Sequence, residues 1–161
     1  MSRKRGKIIY WDTCIFLTWL TSDSSDPVLL AGIREVIESF HRGNIVLVTS
    51  VTTLSELLDL HNDPFIGQTI DKIFQRDNAV MMNVDQKVSL LAGQIRNYYN
   101  SLPKTHRLKI ETPDATHLAS AIVAGSHEFH TNDSGLLRLS PVVMSHPLII
   151  VPPKGTQLSL L

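Results

Sequence analysis

The chain has 161 residues, 43% of them hydrophobic and 19% charged, which suits one folded globular domain and excludes both intrinsic disorder and a two-domain architecture of ordinary size. Fifteen basic residues balance fifteen acidic ones, so no global positive field announces a nucleic-acid binder. One cysteine, Cys14, excludes an internal disulfide and a cysteine-based zinc site.

Lys7 to Trp11 is short, β-branched and aromatic, which predicts a strand buried on both faces, closed by Asp12. Arg3, Lys4 and Arg5 before it read as a basic tail over residues 1–6. Thr13 to Leu20 reads as a helix that the Ser/Asp-rich stretch Thr21 to Asp26 ends. Asp26-Pro27 then supplies an N-cap and first helical residue, and Leu29, Ile33, Val36, Ile37 and Phe40 follow helical spacing until Gly43-Asn44. A second strand is expected at Ile45 to Val48 and a helix from Val51 to Leu60, ended by His61-Asn62-Asp63-Pro64. Phe65 to Arg76 reads as a further helix, Ala79 to Val84 as a third strand, and Asp85 as the cap of a helix carrying Val88, Ala92, Ile95 and Tyr99.

A basic loop, Pro103 to Lys109, leads to Thr112-Pro113, read as another N-cap and first helical residue, which puts Asp114 in the first turn of a helix running to Ala124. Gly125 stops it. Glu128 to Thr131 predicts a short strand followed by Asp133, and Leu148 to Val151 a last strand before a tail over 152–161. Strands alternating with helical crossovers indicate an α/β fold with a mostly parallel sheet, whose sites form beyond the carboxyl ends of the strands.

Asp12, Glu56, Asp114 and Asp133 all lie at or near such an edge in this reading. Each has a plainer explanation: Asp12 and Asp133 as caps, Asp114 as a charge favoured near a helix N-terminus, Glu56 as an exposed helical residue. Jointly they form an oxygen-only ligand set suited to Mg²⁺ or Mn²⁺, because crowded carboxylates persist only with a cation or with protons retained. Thr13 and Thr131 are supporting candidates, since a hydroxyl beside a carboxylate fixes its orientation. His117, one turn after Asp114, is read as bordering the same pocket. His117, His127 and His130 match no compact zinc pattern. No Gly-x-Gly-x-x-Gly, Walker loop or nucleophile elbow is present, and Cys14 stands where an aspartyl phosphatase needs its second Asp.

Ile8 to Thr13, Glu56 within Thr53-Leu54-Ser55-Glu56-Leu57, the block Thr112-Pro113-Asp114-Ala115-Thr116-His117-Leu118-Ala119, and Thr131-Asn132-Asp133 together resemble a PIN domain of the VapC toxin kind, in order from Ile8 to Val151. The resemblance implies a three-layer α/β/α sandwich and a metal-dependent endoribonuclease whose acids are Asp12, Glu56, Asp114 and Asp133. It also implies an RNA substrate (tRNA, rRNA or mRNA), dimerisation and an antitoxin that blocks the active groove. An RNA-processing PIN nuclease without antitoxin and a non-catalytic PIN-fold binding module are the alternatives. Many relatives carry a further acid where this chain has Gly135. With no signal peptide or membrane span in the sequence, a cytoplasmic setting is expected.

Overall fold

The computed structural model of the protein describes residues 6–60 and 63–154; the basic tail at residues 1–5, the helix stop at His61-Asn62 and the end of the C-terminal tail lie outside them. Five strands form a parallel sheet: β1 (Lys7–Trp11), β2 (Ile45–Ser50), β3 (Ala79–Met82), β4 (Glu128–His130) and, at the far edge, Ile149–Val151. The last is β7, because a small antiparallel ribbon, β5 (Val142–Val143) with β6 (His146–Pro147), precedes it. The order in the sheet is β3-β2-β1-β4-β7.

Side-chain alternation along the strands divides the core into two layers, as a period of two requires. Tyr10 and Val48 face a cluster with Phe129 and Ile150, covered by α5 (Gln86–Asn100) and α6 (Thr112–Val123) through Val88, Ala92, Ile95 and Leu118. Ile9, Trp11, Ile45 and Leu47 face the other side. There α1 (Thr13–Thr21), α2 (Pro27–His41), α3 (Val51–Leu60) and α4 (Pro64–Phe74) contribute Phe16, Ile33, Phe40, Leu57 and Ile70. Each fully buried large side chain is worth roughly 1.5–3 kcal/mol, so the two clusters on opposite faces hold the sheet between its helices. The expected three-layer α/β/α architecture is the observed one.

Most expected elements appear with shifts of one or two residues. The strand β2 runs on to Ser50, whereas β3 ends at Met82 and β4 at His130. The helix expected from Phe65 begins at Pro64, with Asp63 accepting from the Phe65 amide. The capping of α6 differs in kind: Thr112 is already helical, the N-cap is Glu111, and no side chain caps that end. The physical reason is that Glu111 supplies the extended backbone and its carbonyl accepts from the Ala115 amide, while the Thr112 carbonyl is taken by the Thr116 hydroxyl. Gly125 does end α6, at a φ of 69° that favours glycine.

Two further contacts shape the fold. Trp11 and His130 are register partners across β1 and β4, and Trp11 Nε1 donates to His130 Nδ1 at 3.1 Å. His130 Nδ1 therefore accepts, its proton sits on Nε2, and Nε2 donates to Glu128 Oε2 at 2.8 Å, with Lys7 on the other Glu128 oxygen. On α2, Gly32 lies against the chain leaving β7, so closely that a methyl group there would stand 2.1 Å from the Pro153 carbonyl oxygen.

Candidate active site

Strand order reverses around β1: β2 and β3 extend the sheet on one side, and the chain then returns to lay β4, parallel, on the other. Such a switch point leaves a crevice at the carboxyl ends of the two diverging strands. Asp12 leaves β1 there and caps α1, accepting from the Ile15 amide at 3.3 Å. Asp133 follows β4 and caps the short helix α7 (Ser134–Leu137), accepting from the Leu136 amide at 3.0 Å. Both are caps, as the plainer reading had it, and both face the crevice.

Asp114 comes from the first turn of α6 and Glu56 from the middle of α3. A cleft of about 480 Å³ is lined by Asp12, Thr13, Cys14, Glu56, Asp114, His117, Asn132, Asp133 and Ser134. All four acids expected from the sequence meet here, together with Thr13. Thr131 lies beneath the lining, fully buried, with its hydroxyl accepting from the Asp133 amide at 3.0 Å.

The acids are not electrically independent. Burial holds the Asp114 carboxyl above its ordinary value; the charge of Asp133 adds to this, as do Asp12 and Glu56, and His117 works against it. Asp12 is also raised, by burial, although the Cys14 thiol (2.8 Å), Thr131 and the Ile15 amide favour its charged form. Burial would raise Glu56 too, but hydrogen bonds from His117 and from the Thr13 hydroxyl outweigh it and lower the value. Among the described residues no three His, Cys, Asp or Glu groups are gathered as a ready-made metal site. The acids instead line an open cleft with carboxylate oxygens, a donor set that fits a hard cation keeping several waters of its own.

Two participants were only partly legible. His117 is buried, with Nδ1 2.8 Å from Tyr10 Oη and Nε2 3.1 Å from Glu56 Oε2. Its spacing of three from Asp114 on one helix was the available signal. Cys14 reads from sequence as a small buried thiol, yet it donates to Asp12; the signal was its position two residues after that acid. The other histidines go elsewhere: His127 Nδ1 accepts from the Ile8 amide at 3.0 Å, and His130 is held by Trp11 and Glu128.

The profile of the PIN domain matches residues 9–140, a span containing all four acids. The chain belongs to the PIN domain family. Solved PIN-like structures share its fold at low sequence identity. A toxin–antitoxin complex from Klebsiella pneumoniae is 18% identical, with a TM-score of 0.57 over 83% of this chain and 92% of that one. VapBC2 from Rickettsia felis, bound to a DNA fragment from its promoter, is 14% identical, with a TM-score of 0.61 over 89% and 98%. VapC20 from Mycobacterium tuberculosis, a toxin that cleaves the Sarcin-Ricin loop, is 16% identical, with a TM-score of 0.56 over 86% and 98%. No curated protein matches the sequence.

Proposed function

We propose that this PIN domain is a metal-dependent endoribonuclease and the toxin half of a toxin–antitoxin pair. The observation that carries the reading is that four carboxylates from four separate elements line one cleft, where Asp133, Asp12 and Glu56 each help to raise the Asp114 carboxyl above its ordinary value. Asp12, Glu56, Asp114 and Asp133 would hold Mg²⁺ or Mn²⁺. When bound, such an ion supplies charge neutralisation at the scissile phosphate and activation of a water. The Cys14 thiol and the Ile15 amide orient Asp12, and the Thr13 hydroxyl orients Glu56. Burial, then the charge of Asp12, pushes the Cys14 thiol well above its ordinary value. It stays protonated and is a donor to Asp12 rather than a nucleophile.

An RNA substrate and an antitoxin partner are supported by the likeness to VapC20, which cleaves the Sarcin-Ricin loop, and to the Klebsiella and Rickettsia toxin–antitoxin assemblies. A homodimer and a cytoplasmic setting belong to the same proposal. Among the described residues no helix is long and apolar enough to cross a membrane.

The test is incubation of the pure protein with total RNA and Mn²⁺, with and without chelator. Cleavage that requires the ion and is lost in Asp12→Asn and Asp114→Asn is expected. Absence of cleavage, or cleavage that survives both substitutions, would sink the reading. A small reading frame beside the gene, whose product co-purifies and inhibits, separates a toxin from a processing nuclease.

A further inference from the structure

We infer that His117 is a positioning residue that holds Glu56 in its metal-binding orientation, an inference that rests on the nuclease reading above. Two of the acids, Asp12 and Asp133, are fixed by backbone amides, because each caps a helix. Glu56 lies in mid-helix and is fixed differently, by two side chains: the Thr13 hydroxyl and His117 Nε2, the latter at 3.1 Å from Oε2. A glutamate side chain keeps its rotamer freedom unless something orders it. A donor that cannot itself move is the most effective means.

His117 meets that requirement. Its side chain is only 4% exposed, against 30% for Glu56, so the pair joins a rigid buried group to one that reaches the cleft. Nε2 faces a carboxylate oxygen, so Nε2 carries the proton. Nδ1 is anchored 2.8 Å from Tyr10 Oη. Tyr10 is anchored in turn: its hydroxyl lies 3.0 Å from Ser50 Oγ, and its ring stacks on Phe129 at 5.1 Å and 9°. The line Ser50-Tyr10-His117-Glu56 thus ties a ligand at the cleft to the centre of the sheet. Outer partners of this kind typically contribute 10–100-fold to metal affinity.

The choice of replacement separates positioning from simple core filling. In His117→Gln the side-chain amide nitrogen falls near the place of Nε2 and can still donate to Glu56. In His117→Asn it falls near Nδ1, towards Tyr10, and the donor to Glu56 is lost. Crystal structures of the two metal-free variants are expected to show Glu56 unmoved in His117→Gln and displaced in His117→Asn. Mn²⁺ titration calorimetry is expected to show a loss of about 10-fold or more in His117→Asn, near-native affinity in His117→Gln, and no further loss when His117→Asn is added to Glu56→Gln. Thermal melting verifies that each variant is folded. An unmoved Glu56 in His117→Asn, equal losses in the two variants, or a loss that persists in the Glu56→Gln background would overturn the inference. Failure of the native protein to bind Mn²⁺ would count against the nuclease reading, while the metal-free crystal structures would still decide the role of His117.

Discussion

Asp133 acts on Asp114 within the cleft: after burial, the charge of Asp133 is the largest influence holding the Asp114 carboxyl above its ordinary value. A carboxyl raised in the folded state means that its ionised form destabilises the fold at neutral pH. Replacing it with a neutral isostere should therefore stabilise the metal-free protein. Asp114→Asn is expected to gain about 0.5–1 kcal/mol in urea unfolding with chelator present, while RNA cleavage is lost. A stability loss in that variant would show that Asp114 makes a stabilising contact that outweighs the repulsion.

The same repulsion predicts how metal should act on stability. A cation that binds only the folded protein adds RT ln(1 + [L]/Kd), about 2.7 kcal/mol at a hundred times Kd. Mn²⁺ is expected to raise the melting temperature of the native protein, chelator to reverse the gain, and Asp12→Asn to reduce it. An equal rise in Asp12→Asn would mean that the ion binds elsewhere.

Asp12 serves two purposes that substitution can separate. Asparagine keeps an oxygen for the Ile15 amide, whereas alanine removes the α1 cap and leaves the Cys14 thiol without its acceptor. Asp12→Ala is expected to be less stable than Asp12→Asn by about 1 kcal/mol, with both inactive on RNA. Equal stabilities by denaturant titration would remove the cap from the account.

Glu128 should give the fold an acid-sensitive component. Its hydrogen bond from His130, opposed by burial and aided by Lys7, lowers its carboxyl from 4.5 to about 2. A lowered folded-state value stabilises above the unfolded value, and that stability is lost as pH falls from about 4.5 towards about 2. With Lys7 half exposed to solvent, a contribution of about 1–2 kcal/mol at pH 7 is expected. Glu128→Gln should therefore be less stable than native at pH 7, with the gap closing as pH falls through that window. A gap independent of pH would point to packing rather than charge.

Gly32→Ala sets two effects against each other. Alanine gains up to about 1 kcal/mol in a helix. The added methyl, however, would stand 2.1 Å from the Pro153 carbonyl, a backbone atom that no rotamer change can move away. A net loss of about 1–3 kcal/mol is expected, read by urea unfolding; a gain would show that the chain beyond β7 shifts freely.

What the sequence disclosed depended on how local the signal was. The Asp26-Pro27 and Asp85 caps and the apolar run Lys7–Trp11 carry their signals within a few residues, and they appear as expected. Thr112 misled because a Thr-Pro pair fits the first two helical positions as well as it fits a cap and first residue, and Glu111 took the cap position without a side-chain bond. The ribbon β5–β6 has two residues per strand, too few to show alternation. At the site, the acids stood out by residue type and place along the chain. The hold of His117 on Glu56 joins residues 61 apart in sequence, and nothing local records that distance.

The placement of β4 directly beside β1 also governs when this cleft can exist. Asp12 and Glu56 are made early and Asp133 late, and the seam that brings Asp12 and Asp133 to one edge needs β4, which begins at Glu128. A nascent chain that has emerged only as far as α6 holds three of the four carboxylates and no second wall to the crevice. The complete cleft therefore assembles only once nearly the whole domain has left the ribosome.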